Sequence, residues 1–175
     1  MATKRTIWLE DSTATERLGR VLAGCLPAAR PFQCLLLEGE LGAGKTTLVR
    51  GLVMALPGSE EAEVSSPSFN LLNLYPTAPP IAHFDLYRLE GQPPDETLLE
   101  CIAAGEHLLA IEWAQFLPRE AWPTSYVRIR WRKAASGRSI EIVAVGPATH
   151  EYWAAICAAL AESFTLNRIP CVNED

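Results

Sequence analysis

The sequence lacks the features that would place a protein in or across a membrane. None of its 175 residues lies in an apolar run approaching the roughly 20 positions of a membrane-spanning helix. Residues 1–10 also lack the charged-then-apolar layout of a secretory signal. These absences predict a cytoplasmic protein that does not associate with membranes.

Cysteine pairs and histidine clusters are missing as well. The five cysteines are odd in number and widely scattered, and no two form a Cys-x-x-Cys pair. That pattern gives no support to a disulfide framework or a zinc site, so we expect reduced cysteines that are mostly core residues. The three histidines stand apart, which favours ordinary surface or core roles over metal binding.

Positive charge is in short supply. The chain has 15 lysines and arginines against 21 aspartates and glutamates, which gives a formal net charge of -6. Affinity for nucleic acid comes largely from neutralising phosphates, so an acidic chain is not expected to bind RNA by itself. If RNA is involved, we expect a partner to hold it.

The composition that is present is typical of one globular domain. Apolar residues make up 49% of the chain and charged residues 21%, which is too apolar for a disordered protein. The length suits one well-buried domain and is short for two. We predict a single domain over residues 1–165, followed by a flexible C-terminal tail over residues 166–175.

Strand and helix patterns alternate along the chain. A capping box formed by Thr13 and Glu16 predicts the start of the first helix. Further helices are predicted over 46–56, 96–103 and 150–164. Strands are predicted over 6–9, 33–38, 69–74, 81–84, 108–111, 126–133 and 139–145, with a turn at 134–137. The patterns predict an α/β fold: a mostly parallel central sheet flanked by helices, with an antiparallel edge hairpin.

Residues 39–46 form the complete Walker A pattern, Gly39-x-x-x-x-Gly44-Lys45-Thr46, between a predicted strand and a predicted helix. The glycines let successive backbone N–H groups point at phosphates, and the helix adds its positive N-terminal end. Lys45 supplies a charge for the β- and γ-phosphates, Thr46 a hydroxyl for magnesium, and Thr47 a contact to the α-phosphate. The loop therefore predicts a P-loop NTPase-like fold that binds ATP and Mg²⁺.

Two acidic residues follow predicted strands and are candidates for the other half of such a site. Asp85 follows the strand 81–84, and Glu112 follows the strand 108–111. The carboxyl ends of parallel strands gather around a bound ligand, where an acidic residue holds magnesium or orients the attacking water. The loop 65–69 is either a hydroxyl-rich switch near the γ-phosphate or an ordinary Ser-Pro turn. Trp113 either stacks near the nucleotide or belongs to the core or its rim.

Four segments together resemble the bacterial TsaE family. They are Gly-Glu-Leu-Gly-Ala-Gly-Lys-Thr-Thr at 39–47, Ser-Pro-Ser-Phe-Asn-Leu at 66–71, His-Phe-Asp-Leu-Tyr-Arg at 83–88 and Ile-Glu-Trp at 111–113. Their order and spacing match, and the resemblance covers residues 11–145. Ser68 departs from the threonine usual in the family but keeps the hydroxyl. The tail, with Cys171, matches nothing in it.

The resemblance implies roles for individual residues. It implies catalytic roles for Lys45 and Glu112. It also implies a catalytic or water-orienting role for Asp85. It implies magnesium binding by Thr46 and Glu112. Phosphate binding is implied for Glu40, Leu41, Gly42, Ala43, Gly44, Lys45, Thr46 and Thr47. Thr15 resembles the family's N-terminal threonine near the nucleotide base, and Arg138 resembles another recurring position. Ser66, Ser68 and Trp113 fall on motif positions of less defined duty.

The resemblance also implies partners. Proteins of that family are ATPases accessory to the TsaB–TsaD machinery, which installs threonylcarbamoyl on the adenosine beside the anticodon of certain tRNAs. We therefore expect an ATP hydrolase that is slow alone and modulated by TsaB and TsaD, and that meets tRNA only indirectly through the complex.

A P-loop kinase of a small metabolite is the main alternative. Arg128, Arg130, Arg132 and Lys133 could clamp phosphates as a lid, although they alternate along a predicted strand. A solvated strand face or a docking patch for an acidic partner or tRNA would explain them equally well. A GTPase and an ABC-type ATPase are disfavoured, because the sequence has neither Asn-Lys-x-Asp nor Leu-Ser-Gly-Gly-Gln.

Overall fold

The alternation of strand and helix is confirmed in the computed structural model, which describes residues 3–26, 34–132 and 137–164. The strands are β1 (Thr3–Leu9), β2 (Cys34–Glu38), β3 (Leu72–Tyr75), β4 (Ile81–Asp85), β5 (Leu108–Glu112), β6 (Tyr126–Arg132) and β7 (Arg138–Val145). The helices are α1 (Ser12–Gly24), α2 (Lys45–Val53), α3 (Glu96–Ala104) and α4 (Pro147–Ser163). Short 3-10 turns cover Tyr87–Leu89, Ala114–Phe116 and Arg119–Ala121.

The strands form one sheet in the order β1-β7-β6-β2-β5-β4-β3. Its centre is parallel, because β2 pairs with β5 and β6, and β4 pairs with β5, all in the same direction. The predicted antiparallel hairpin is β6 with β7, and β1 extends it as the edge strand. At the other edge β3 runs antiparallel to β4, since the short connection 76–80 allows a hairpin but no crossover. The sheet confirms the predicted fold class.

Two apolar layers cover the faces of the sheet. On one face Leu35 and Leu37 of β2 pack in a core cluster with residues of α1, α2 and α4. On the other face Cys34 and Leu36 pack in a second cluster with α3 and the turns after β5. All five residues of β2 are buried, as its uninterrupted apolar run predicts.

The helices α1 and α2 approach unusually closely. A Cβ atom on Gly19 would collide with the carbonyl oxygen of Leu48, and one on Gly51 would collide with the carbonyl oxygen of Glu16. Both collisions are with backbone atoms, which rotamer changes cannot relieve. Glycine is therefore required at each position for the two helices to pack at this distance.

The predicted capping box at Thr13 is wrong. The first helix is capped by Asp11, whose carboxylate accepts a hydrogen bond from the backbone N–H of Ala14 at 2.8 Å. The aspartate two residues upstream has a stronger, charged acceptor for the exposed N–H groups of the first turn. α1 consequently begins earlier than the sequence pattern predicts.

Several other boundaries differ from the prediction by one to three residues, and two of these differences have a clear local cause. β3 begins at Leu72 rather than at residue 69, because the N–H groups of Asn70 and Leu71 both donate to the carbonyl of Pro67 and close a turn. The last helix begins at Pro147 rather than at residue 150, because proline has the fixed φ of a first helical position and needs no hydrogen-bond acceptor there.

Some predictions fall outside the described residues. Gln33, Lys133, most of the turn 134–137 and the tail 166–175 belong to this group, so the domain boundary at residue 165 stays a prediction. Across the described ranges, no helix combines the length and the apolarity needed to cross a membrane. Cys34 is fully buried in the core, and Cys25, Cys101 and Cys157 are partly buried against the core clusters.

Candidate functional site

The candidate site lies where the carboxyl ends of β2, β4 and β5 meet. The loop 39–44 leaves β2, Asp85 ends β4, and Glu112 ends β5 directly beside Asp85 in the strand register. A cavity of about 480 Å³ opens between them. Its lining is Leu41, Gly42, Ala43, Gly44, Lys45, Thr46, Thr47, Ser66, Ser68, Phe69, Asp85, Tyr87, Arg88, Glu112 and Trp113.

The loop needs its glycines for conformation and for space. Gly44, immediately before α2, has φ of +112°, which side chains rarely tolerate, and a Cβ there would lie 3.3 Å from the methyl group of Thr15. At Gly39 a Cβ would lie 3.0 Å from the Cβ of Trp131. The loop therefore packs closely against neighbouring side chains. It leads directly into the start of α2, whose N–H groups favour anions.

Lys45 is buried in this loop, with 4% of its surface exposed. Its ammonium group donates hydrogen bonds to the carbonyl oxygens of Gly39 at 2.8 Å and Glu40 at 2.9 Å. It also lies 3.8 Å from the centre of the Trp113 ring. Burial lowers the pKa of Lys45, and the nearby carboxylates of Glu112 and Asp85 act in the opposite direction.

Glu112 is the acceptor for two donors from different parts of the fold. Its Oε1 accepts a hydrogen bond from the hydroxyl of Thr46 at 2.7 Å. The same oxygen lies 2.8 Å from Nε2 of His83 on β4. Glu112 is 3% exposed and His83 is fully buried, so this group is shielded from solvent.

Asp85 is held by a separate pair of donors. The hydroxyl of Ser66 donates to Oδ2, and the backbone N–H of Tyr87 donates to Oδ1 at 2.9 Å. Ser66 belongs to the loop 65–69, which the sequence allows to be either a switch or an ordinary Ser-Pro turn. The structure brings this loop to the cavity, with both Ser66 and Ser68 in its lining.

Trp113 lies at the rim of the cavity rather than in the core. It is half-buried and has left-handed backbone, with φ of +58°, which is uncommon for a residue with a large side chain. Its ring stacks on Phe116 at 5.4 Å and tilts against Tyr87 at 5.0 Å. These contacts hold the ring over Lys45.

A second cavity, of about 630 Å³, adjoins the outer side of the loop. Its lining is Glu38, Gly39, Glu40, Leu41, Gly42, Ala43, Trp113, Gln115, Arg130, Trp131, Arg132, Gly137 and Arg138. Within the described part of the chain, the buried indole Nε1 of Trp131 has no hydrogen-bond partner.

The donor set suits a divalent cation accompanied by a phosphate ligand. The Thr46 hydroxyl and the Glu112 carboxylate are hard oxygen donors 2.7 Å apart, beside the lysine of the loop. Magnesium is usually bound by one or two such groups together with water and substrate phosphates. In the described ranges no group of three or more acidic, histidine or cysteine residues is placed to hold a metal ion.

Most residues predicted for the site are brought together. Residues 41–47, Asp85, Glu112 and Trp113 line one cavity. Glu40 and Arg138 line the second cavity instead. Thr15 is fully buried behind Gly44, and its hydroxyl donates to the carbonyl of Asp11 at 3.0 Å, so its contact with the loop is through its methyl group.

The arginine side chains of β6 are paired with carboxylates. Arg130 bonds Glu38 at 2.5 Å, and Arg132 bonds Glu141 at 2.9 Å. Arg128 lies 3.7 Å from the same glutamate. These arginines are on a regular strand with fixed partners, which gives no support to a mobile kinase lid. Lys133 lies outside the described residues.

Four residues of the site received no role from the sequence. His83 bonds Glu112, Tyr87 bonds Asp85, and Phe69 and Arg88 line the cavity. The signal for His83 was available in the segment 83–88: it stands two residues before Asp85 on one strand, so both side chains point to the same face.

The strand-loop-helix unit, the parallel central strands and the acidic strand ends define a P-loop NTPase-like α/β protein. The chain belongs to the TsaE family: the family model described as threonylcarbamoyl adenosine biosynthesis protein TsaE matches residues 9–140. The tRNA threonylcarbamoyladenosine biosynthesis protein TsaE of Nostoc sp. is 40% identical over 128 residues, spanning 70% of this chain and 75% of that protein.

Two other comparisons cover more of the chain. The protein of the same description from Bacillus subtilis is 33% identical over 144 residues, which span 81% of this chain and 85% of that one. The crystal structure of YdiB from Bacillus subtilis superposes on this chain with a TM-score of 0.67 at 26% identity. That superposition covers 93% of this chain and 97% of the other.

Proposed function

We propose that this protein is a Mg²⁺-dependent ATPase accessory to the TsaB–TsaD machinery, which forms threonylcarbamoyladenosine next to the tRNA anticodon. The supporting observation is the convergence of Lys45, Thr46, Asp85 and Glu112 on one cavity beneath a glycine loop. Membership of the TsaE family supports a role in threonylcarbamoyladenosine biosynthesis, and the geometry of the site supports ATP hydrolysis.

The residues divide the work according to their contacts. Lys45 exchanges its two carbonyl acceptors for the β- and γ-phosphates, because a charged acceptor makes the stronger hydrogen bond. Thr46 and Glu112 would hold magnesium, which neutralises phosphate charge when bound. Asp85, held by Ser66 and Tyr87, orients the attacking water and accepts its proton.

The mouth of the cavity has an apolar rim suited to a protein partner. Leu41 is 81% exposed and Phe69 is 84% exposed, although both line the cavity. The guanidinium group of Arg88 lies 4.5 Å from the centre of the Phe69 ring. Because Phe69 follows Ser66 and Ser68 in one short loop, a γ-phosphate contact with that loop would change the surface that TsaB and TsaD meet.

The charge distribution supports an indirect relation to tRNA. The chain has a net charge of -6, and each arginine of β6 has a carboxylate neighbour. The β6 strand therefore offers little uncompensated positive charge to a phosphate backbone, and tRNA affinity should come from the partners.

The proposal is tested by mixing the protein with purified TsaB and TsaD. We expect co-purification and a change in ATP turnover, with partner affinity at least about threefold different between ADP and a non-hydrolysable ATP analogue. Ser68→Ala should reduce that difference, and His107→Leu, at the far end of β5 from the site, is the control. Equal partner affinities in both nucleotide states would eliminate the switch, and no complex at all would refute the accessory role.

A further inference from the structure

His83 is a fully buried histidine that contacts Glu112 of the candidate site. It lies on β4 two residues before Asp85, in strand register with Ala110 of β5. The strand alternation directs its side chain to the face covered by α2, the helix that begins with Lys45 and Thr46. The imidazole is thus underneath the start of the loop helix.

The hydrogen bonds define which nitrogen has the proton. Nε2 lies 2.8 Å from Oε1 of Glu112, and a carboxylate can only accept, so Nε2 is the donor. The other nitrogen, Nδ1, lies 3.5 Å from the hydroxyl of the buried Tyr75 on β3. The histidine therefore connects an edge strand of the sheet to the acidic end of β5.

The two donors on Glu112 act on the same oxygen. Thr46 of α2 donates to Oε1 at 2.7 Å, and His83 donates to it from the neighbouring strand β4. Two donors on one oxygen fix the rotation of a carboxylate. They also supply hydrogen bonds that a buried carboxylate oxygen needs.

We propose that His83 is a positioning residue for the divalent cation of the bound nucleotide. It acts through Glu112 and touches neither the nucleotide nor the cation. The inference rests on the proposed function, because it concerns the cation that accompanies the phosphates. Partners that orient a metal-ligating carboxylate typically change metal affinity 10- to 100-fold when they are lost.

A purely structural histidine would behave differently. Loss of a buried hydrogen bond alone lowers the stability of the fold, and it changes nucleotide binding equally with and without the cation. Loss of a positioning contact changes the cation dependence and leaves cation-free binding in place. The two roles are separated by titrating magnesium at fixed nucleotide concentration.

The experiment compares His83→Leu, His83→Gln and the control His107→Leu. ADP and non-hydrolysable ATP analogue affinities are measured by calorimetry in EDTA and across a MgCl₂ titration, with thermal melting of each variant. For His83→Leu we expect the magnesium midpoint to rise about 10-fold or more, with the affinity in EDTA within about twofold of wild type. His83→Gln should recover most of the loss, because its amide N–H reaches about as far as Nε2.

A second pair of variants covers the case in which His83→Leu does not fold. Asparagine and glutamine are both amides that suit a polar site, but asparagine is shorter by one methylene and cannot reach Oε1. His83→Asn should therefore raise the magnesium midpoint and His83→Gln should not. Equal midpoints for His83→Asn, His83→Gln and wild type would overturn the inference. A wild type without magnesium-enhanced binding would instead refute the proposed function, and this inference with it.

Discussion

Three of the four carboxylates that are buried in the described ranges differ greatly in their surroundings. Asp85 is 4% exposed, Glu112 is 3% exposed and Glu141 is 6% exposed. Glu141, in the middle of β7, is surrounded by cations: Lys4 at 2.7 Å, Arg132 at 2.9 Å and Arg128 at 3.7 Å. The other two bond to hydroxyl, imidazole and backbone N–H groups.

The difference separates a structural carboxylate from ligand-binding ones. The charge of Glu141 is neutralised by the chain's own cations, so it joins three strands of the sheet without attracting a ligand. Asp85 and Glu112 accept hydrogen bonds from hydroxyl, imidazole and backbone N–H groups, and the neighbouring Lys45 donates to loop carbonyls instead. A buried carboxylate without a lysine or arginine hydrogen-bond partner therefore marks the site better than burial does.

The largest effect should come from Lys45→Ala, which removes the cation nearest the acidic pair. Each hydrogen bond from a charged group contributes about 1.5 to 3 kcal/mol, so we expect nucleotide affinity to fall about 10- to 100-fold, with a comparable loss of turnover. The protein should stay folded, because burial already lowers the pKa of this lysine and its removal ends that desolvation cost. Calorimetry with ADP and a thermal melt measure both effects. Unchanged ATP turnover would refute the site.

A divided effect is expected from the acidic pair, because each variant should change one property, whereas Lys45→Ala should change both affinity and turnover. Glu112→Gln should raise the magnesium concentration needed for nucleotide binding by about 10-fold, because the charge beside Thr46 is lost. Asp85→Asn should lower turnover about 100-fold with nucleotide affinity nearly unchanged, as for the loss of a general base. Both substitutions are close in shape, so each is a control for the other. Indistinguishable magnesium titrations would contradict this division of roles.

The smallest effect should come from Glu141→Gln, which tests the structural side of the comparison. Burial acts to raise the pKa of Glu141, but the hydrogen bonds and charges of Lys4 and Arg132 outweigh it and lower the pKa. The contribution of Glu141 to stability is therefore present above the carboxylate's unfolded pKa and is lost as pH falls through the folded value. We expect Glu141→Gln to lower the free energy of unfolding by about 1 to 2 kcal/mol at pH 7, because its cationic partners are half exposed.

Urea unfolding of wild type and Glu141→Gln at pH 7 and at pH 3 measures this dependence. The difference between the two proteins should shrink in acid, because protonation neutralises Glu141 as pH falls through its folded pKa. ADP affinity should be the same for both at pH 7. A loss of nucleotide affinity would place Glu141 with the ligand-binding carboxylates and break the comparison.

The parts of the site that the sequence predicts are those encoded within a few consecutive residues. The loop 39–46 and the acidic strand ends at Asp85 and Glu112 are recognisable because a strand pattern directly precedes each one. The sheet class follows from the alternation of patterns. Burial of β2 on both faces is likewise readable from its apolar run.

The parts that escaped prediction depend on contacts between distant residues. His83 meets Glu112 across 29 positions of the chain, and its alternation with Asp85 indicates a shared face but not this contact. The arginines of β6 alternate as a solvated face or docking patch would, and only the structure shows their pairing with Glu38 and Glu141. The cap at Asp11 shows that a weaker local signal at Thr13 loses to a charged one nearby.

The close approach of α1 and α2 has a mechanical consequence. Because backbone meets backbone at Gly19 and Gly51, the two helices have no compressible side chains between them at these points and should respond to force as one stiff plate. One end of that plate is the start of α2 at Lys45, and Thr15 of α1 rests against Gly44. A ligand that displaces the loop should therefore move α1 together with α2. The outer surface of α1, a helix of some three turns, should shift as well.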